Sequence, residues 1–127
     1  MDVTPLVPAG RQIVESYGGG RFKVSGRLFQ GAIIVLPDRT MDWLAASVEA
    51  LTPDVLAAVS EAGRAGRVDL LLIGCGAKMK PVSAAIRQTM RAAGIVVETM
   101  DTGAACRTFN VLAAEGRQVA AALIAVP

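Results

Sequence analysis

Two short apolar runs, each breaking into a polar turn and then a helical pattern, organise the second half of this chain. Asp69 to Ile73 (DLLLI) reads as a buried strand that breaks at Gly74-Cys75-Gly76. Residues 95–97 (IVV) repeat the pattern and break into Glu98, Asp101 and Thr102. A right-handed crossover between them opens both strand ends at one edge of a sheet. In open α/β sheets that edge is where ligands or partners sit, so the spacing predicts a shared polar crevice.

The remaining pattern supplies the elements around it. Gln12 to Tyr17 and Arg21 to Ser25 flank Gly18-Gly19-Gly20 and read as an antiparallel hairpin. Gly31 to Leu36 is a third strand ended by Pro37-Asp38. Arg39 to Ser47 fits strand or helix, with Trp43 as a core or rim anchor. Thr52-Pro53-Asp54 starts a helix with an N-cap, a proline at the first helical position and an acid facing the dipole. Val55, Leu56 and Val59 form its apolar stripe, and Gly63 and Gly66 end it. Pro81 opens a second helix carrying Val82, Ile86 and Met90 on one face, stopped by Gly94. Asp101 or Thr102 caps a third helix running to about Glu115 and closed by Gly116. Gln118 to Val126 is the last strand. Strands alternating with helices predict an α/β fold with a largely parallel sheet, to which the hairpin adds antiparallel strands. Residues 1–10, with Pro5, Pro8 and Gly10, read as a loosely ordered lead-in to a single domain over residues 11–127.

Composition narrows the picture. A chain of 127 residues needs no metal or disulfide to hold a core. Apolar residues are 53% of it and aromatics 4%, so Ala, Val, Leu and Ile must do the packing on β-branched strands and Ala-rich helices. A net charge of +2 without clustered Lys and Arg argues against nucleic acid as partner. Arg11, Arg21, Lys23 and Arg27 gather near the N-terminus but read as a solvated face. Histidine is absent, which removes the commonest general base and metal ligand, and two distant cysteines cannot complete a four-ligand site. No cofactor is implied. The start MDVTPLVPAG is neither a signal nor a transit peptide, and the longest apolar run, Val119 to Pro127, is too short to span a bilayer. The expectation is a cytoplasmic protein, not inserted in a membrane, with two reduced thiols.

Three groups of residues invite a chemical reading. Cys75, between two glycines before a helix and near Lys78 and Lys80, has the setting of a thiolate nucleophile. Without a histidine or a CxxC partner, it reads rather as a small packing residue. GCGAKMK suggests a phosphate loop but lacks the Walker and GxGxxG spacings, which leaves a modest anion preference. Glu98, Asp101, Thr102, Arg107, Thr108 and Asn110 form either a ligand site, with Arg107 as anion clamp and Glu98 as acid or base, or a set of helix caps and surface pairs.

The run Leu72-Ile73-Gly74-Cys75-Gly76, Ile86, Gly94-Ile95, Glu98-Thr99-Met100-Asp101-Thr102, Ala104-Ala105, Arg107-Thr108-Phe109-Asn110, Leu112, Glu115-Gly116-Arg117 and Ala121 to Ile124 resembles a small-domain family. That family includes assembly factor 3 of mitochondrial respiratory complex I. The resemblance covers nearly the whole chain and departs at Cys75, where the family often carries a small hydroxyl residue such as Thr. It implies a three-layer α/β fold with a central mixed sheet, and a non-enzymatic role in protein interaction during assembly of a membrane-bound respiratory enzyme. Respiratory-complex subunits or another assembly factor are the implied partners, with peripheral membrane association through them. Arg107 and Asn110 carry over only as members of the signature. The expected interaction or ligand crevice is therefore Gly74, Cys75, Gly76, Glu98, Asp101, Thr102, Arg107 and Asn110. The alternative is a small-ligand binder or a thiol or carboxylate enzyme using the same crevice.

Overall fold

Strand segments rich in β-branched and small apolar residues assemble two sheets in this computed structural model, which describes residues 11–127. The expected lead-in over residues 1–10 lies outside the described residues. β1 (Val14–Gly18), β2 (Arg21–Val24) and β3 (Arg27–Gln30) form an antiparallel sheet in sequence order. β4 (Ile33–Val35), β5 (Thr40–Asp42), β6 (Leu70–Gly74), β7 (Val96–Met100) and β8 (Val119–Leu123) form a five-stranded mixed sheet in the order β5-β4-β8-β6-β7. β7 and β8 flank β6 in parallel, while β4 runs antiparallel to both β5 and β8. The helices are α1 (Ala57–Arg64), preceded by single turns at Val48–Ala50 and Pro53–Leu56, α2 (Ala84–Ala92) and α3 (Thr102–Ala114).

Alternation within the apolar strands divides the core into two slabs. Ile34, Leu71, Ile73, Ala120 and Ala122 meet Leu56, Val59, Ile86, Met90 and Trp43 on one face of the mixed sheet. Ile33, Val35, Leu72, Ala121 and Leu123 meet Phe109, Cys106 and Ala105 of α3, with Phe22, Val24 and Phe29 of the small sheet, on the other. Three layers result, the mixed sheet in the middle. Burial of a side chain such as Phe109 stabilises by about 2 kcal/mol, and its ring is fully enclosed.

Local chemistry explains where the elements depart from the expected ones. RLFQ forms an additional strand, β3, because Ser25 and Gly26 both take positive φ, 46° and 84°, in a two-residue hairpin turn whose twist suits its strands. The ambiguous Trp43 segment supplies β5, and the indole Nε1 of Trp43 donates to the Val55 carbonyl at 2.9 Å. α2 begins at Ala84 and not at Pro81, since the Ser83 side chain is the N-cap and accepts from the Ile86 amide. The Thr52 side chain makes no cap hydrogen bond, and the turn it precedes is a 3-10 turn leading into α1.

Sheet edges are treated unevenly. Even-numbered residues of β7 bond to β6, as the Val96 amide does to Asp69 O, so the backbone amides and carbonyls of Val97 and Thr99 point away from β6. The Arg87 guanidinium of α2 donates to the Val97 carbonyl at 3.0 Å. At the free side of β1, the Asn110 amide on α3 accepts from Val14 N at 2.9 Å and donates to Val14 O at 2.8 Å, standing in for a neighbouring strand.

Gly63 does not end α1 as expected; it lies within it and lets the helix press on the chain entering β7. A Cβ there would stand 2.5 Å from Ile95 Cδ1 and 2.7 Å from the Ala93 carbonyl. Gly63→Ala gains about 1 kcal/mol of helix propensity but must displace a backbone carbonyl, so a net loss of about 1–3 kcal/mol is expected. Urea unfolding checks it: an unchanged or raised midpoint would mean that α1 slides freely.

Candidate functional site

The two parallel strands that carry the candidate residues do finish side by side, with Gly74 in register with Met100. Their backbone then turns inward on itself. Cys75 N donates to Met100 O at 2.8 Å, Thr102 N to Gly76 O at 2.8 Å, and Ile124 N to Gly74 O at 2.9 Å. Asp101 caps α3 by accepting from the Ala104 amide at 2.9 Å. Thr102, the first helical residue, points its hydroxyl into the gap between the strand ends. Oγ1 accepts from Gly76 N at 2.9 Å and donates to Ile124 O at 2.7 Å, with the residue fully buried. Glycine at 74 is what makes room: a Cβ there would lie 2.9 Å from Leu123 Cδ2 and 3.0 Å from the Thr102 Cα. The space between β6 and β7 is thus filled by protein, and the amides of Cys75, Gly76, Thr102 and Ala104 are engaged by protein acceptors.

Cys75 is buried, and its thiol acts as donor to the carbonyls of Lys80 at 3.3 Å and Ile73 at 3.6 Å. The Lys80 ammonium is turned away from it and pairs with Glu49 at 2.7 Å, an exposed contact that holds the Glu49 carboxyl below its usual range. The second thiol, Cys106, lies in the slab under α3, where burial pushes its pKa up to about 12. The two cysteines occupy opposite faces of the mixed sheet.

The other candidates do not converge with these. Asn110 serves the edge of β1. Arg107 is exposed on α3, where its guanidinium donates to the Tyr17 hydroxyl at 3.2 Å. Tyr17 in turn lies against Gly103, whose absent side chain leaves the space for the phenol. Glu98 is exposed on β7, beside the exposed Val96, and Val111 is exposed one turn beyond Arg107. Tyr17 and Gly103 were not among the candidates, because a residue at the hairpin tip and one 86 positions later carry no mark of their contact in sequence. Among the described residues no group of three or more acidic or cysteine side chains is placed to hold a metal ion, and no buried side-chain nitrogen or oxygen lacks a hydrogen-bond partner.

Hollows lie elsewhere. One of about 320 Å³ is lined by Arg11, Leu36, Pro37, Asp38, Arg67 and Gln118, at the opposite end of the parallel strands. Arg11 there donates to the carbonyls of Arg117 and Gly116, closing the C-terminal side of α3. A second, about 830 Å³, is an open trough between β3 and the chain around Trp43.

A three-layer α/β domain with a mixed central sheet and hydrogen-bonded, closed strand ends defines the class. Residues 14–124 match the family described as "protein of unknown function (DUF498/DUF598)", and the chain belongs to that family. It is 35% identical over 119 residues to an uncharacterised protein of Rhodobacter capsulatus, covering 94% of this chain and 89% of that one. It is 32% identical over 114 residues to NADH dehydrogenase (ubiquinone) 1 alpha subcomplex assembly factor 3 of Homo sapiens, covering 90% of this chain and 61% of that protein. Among solved structures, an outer membrane protein from Bartonella henselae superposes with a TM-score of 0.86 at 35% identity, over 93% of this chain and 98% of that chain. A Bordetella pertussis protein described as a Mth938-like domain gives 0.78 at 26% identity, over 98% and 89%. No helix among the described residues is long and apolar enough to cross a membrane.

Thr102→Val keeps the shape but strands a buried N–H and a buried C=O, an expected loss of about 2–4 kcal/mol. Thr102→Ser keeps the hydroxyl and is expected to lose about 1 kcal/mol for the methyl. Equal midpoints for the two variants in chemical denaturation would show that the methyl, not the hydroxyl, matters.

For Cys106, the folded thiol keeps its proton to about pH 12, whereas an unfolded one releases it near 8.5. The proton-linked stability is complete below the lower value and is lost as pH rises through the higher. The stability gap between wild type and Cys106→Ala should narrow between those two pH values, by about 1.4 kcal/mol per pH unit at most. A gap that stays constant over that window contradicts the buried, protonated thiol.

Proposed function

We propose that this chain is a non-enzymatic protein-interaction factor acting in the assembly of a membrane-bound respiratory enzyme. The observation that carries the reading is its 32% identity, over 90% of its length, to the human complex I assembly factor 3. The chain spans 61% of that protein. The partners of this reading are subunits of the respiratory complex or another assembly factor. It works in the cytoplasm and reaches a membrane through those partners.

The docking surface in this reading is the exposed outer ground of β7 and α3: Glu98 and Val96 on β7, and Arg107 and Val111 on α3. Gly74, Cys75, Gly76, Asp101 and Thr102 are its rigid footing, and Asn110 anchors the neighbouring strand. A surface already ordered by its footing binds without paying to order its backbone. Charge of both signs beside exposed valines suits a protein partner with a mixed polar and apolar face.

The same geometry gives less support to a small-ligand binder or a thiol or carboxylate enzyme at this place. Cys75 is buried and donates to two carbonyls, and the four amides that an anion would want are engaged.

Affinity isolation of the tagged chain from its native host tests the reading. Wild type should recover a respiratory-complex subunit or assembly factor at near-stoichiometric yield. Arg107→Glu and Glu98→Lys should each cut that yield at least ~10-fold, with thermal midpoints within a degree or two, as befits exposed sites. Recovery of no such partner overturns the reading.

A further inference from the structure

Among the described residues, nothing covers one edge of the small sheet. In the β2–β3 hairpin, Val24 and Arg27 close a two-residue turn, and beyond β3 the Gly31 amide donates to Gly20 O at 2.9 Å. Both facts set the same parity, in which Arg27 and Phe29 bond to β2 and the amides and carbonyls of Leu28 and Gln30 point outward. Those four groups meet no other described group. The contrast with β1, plugged by Asn110, and β7, plugged by Arg87, is marked. An open edge is a template for another strand.

This edge forms one wall of the trough of about 830 Å³. Two leucines line the trough and stand in water, Leu28 at 61% exposure and Leu44 at 95%. Arg27 and Asp42 line it as well, and neither has an ion-pair partner among the described residues.

The geometry points to a second copy of this chain as the occupant, joined by antiparallel pairing of β3 with β3 about a two-fold axis at Phe29. The parity admits this register directly. Leu28 then faces Gln30 of the other copy, and all four outward groups of each strand are satisfied reciprocally. Antiparallel pairing about Phe29 also carries Arg27 of each copy to the Gly31 end of the other's β3. Ala32 follows Gly31 there and is bonded by the Trp43 amide, so Asp42 lies at that end of the trough. Opposite charges therefore meet in trans, twice, by symmetry. Each copy also offers the other the same two exposed leucines. The surface is self-complementary in hydrogen bonds, charge and apolar contact, the condition for an isologous dimer. It is separate from the docking surface around Arg107, and the inference does not rest on that reading.

Sedimentation equilibrium of the full chain, from micromolar to millimolar concentration and at low salt, tests it. A monomer–dimer equilibrium is expected. Gln30→Pro removes one outward N–H while sparing the ladder to β2, and Leu44→Glu places a charge in the trough; each should weaken dimerisation at least ~10-fold. Arg27→Glu and Asp42→Arg should each weaken it, and the double variant should restore it to within about 3-fold, because the pair acts between copies. Far-ultraviolet circular dichroism and thermal midpoints confirm that each variant is folded. A chain that remains monomeric at millimolar concentration overturns the inference, and so does a dimer indifferent to Gln30→Pro and to the charge exchange. Protection of the Leu28 and Gln30 amides from hydrogen exchange in the monomer would give the trough to another segment of this chain, and also overturns it.

Discussion

One buried hydroxyl holds the arrangement of this domain. Thr102 Oγ1 joins the turn after β6, through Gly76 N, to the chain leaving β8, through Ile124 O, and it does so from the first turn of α3. Three parallel strands and the helix that covers them are fixed to one another at this point. A hydroxyl carries a donor and two acceptor sites on one atom, so Thr102 satisfies an amide and a carbonyl at a single point. Unsatisfied, each of those backbone groups would sit in a dry interior at a cost of about 1–3 kcal/mol. The close approach at Gly74 follows from the same constraint, since the Thr102 backbone lies where a side chain would otherwise begin.

That constraint also explains which parts of the structure could be read from sequence. Strands such as LLLI and helix signals such as Asp101 are local, and the chain folds where those signals say. β3 escaped because four residues, RLFQ, carry too short an alternation to stand out, and the turn that creates it depends on Ser25 accepting a positive φ. Gly63 was read as a stop, which is what an isolated glycine near a helix end suggests. Its actual task, contact with Ala93 and Ile95, belongs to a segment thirty residues away. The strand ends were placed together correctly by topology, with Gly74 beside Met100. Whether the space between them is open was not legible, since it turns on a hydroxyl reaching a carbonyl 22 residues further on. Asn110 is the extreme case: its partner, Val14, is 96 residues away.

β8 shows how the low aromatic content is used. Its VAAAL sequence is wholly buried on both faces. Small side chains at the centre of the sheet let both outer layers come close, and the bulk they omit is supplied from outside by Phe109 on one side and Met90 and Ile86 on the other. The domain is packed from its outer layers inward. The cysteines fit this scheme as small apolar fillers, one in each slab.

The guanidinium that Arg87 lends to the Val97 carbonyl has a further consequence. A foreign strand seeking the rim of the mixed sheet at β7 must first evict a cation from its hydrogen bond, and then tolerate that cation beside its own backbone. Growth of the central sheet from molecule to molecule is thereby discouraged at this rim.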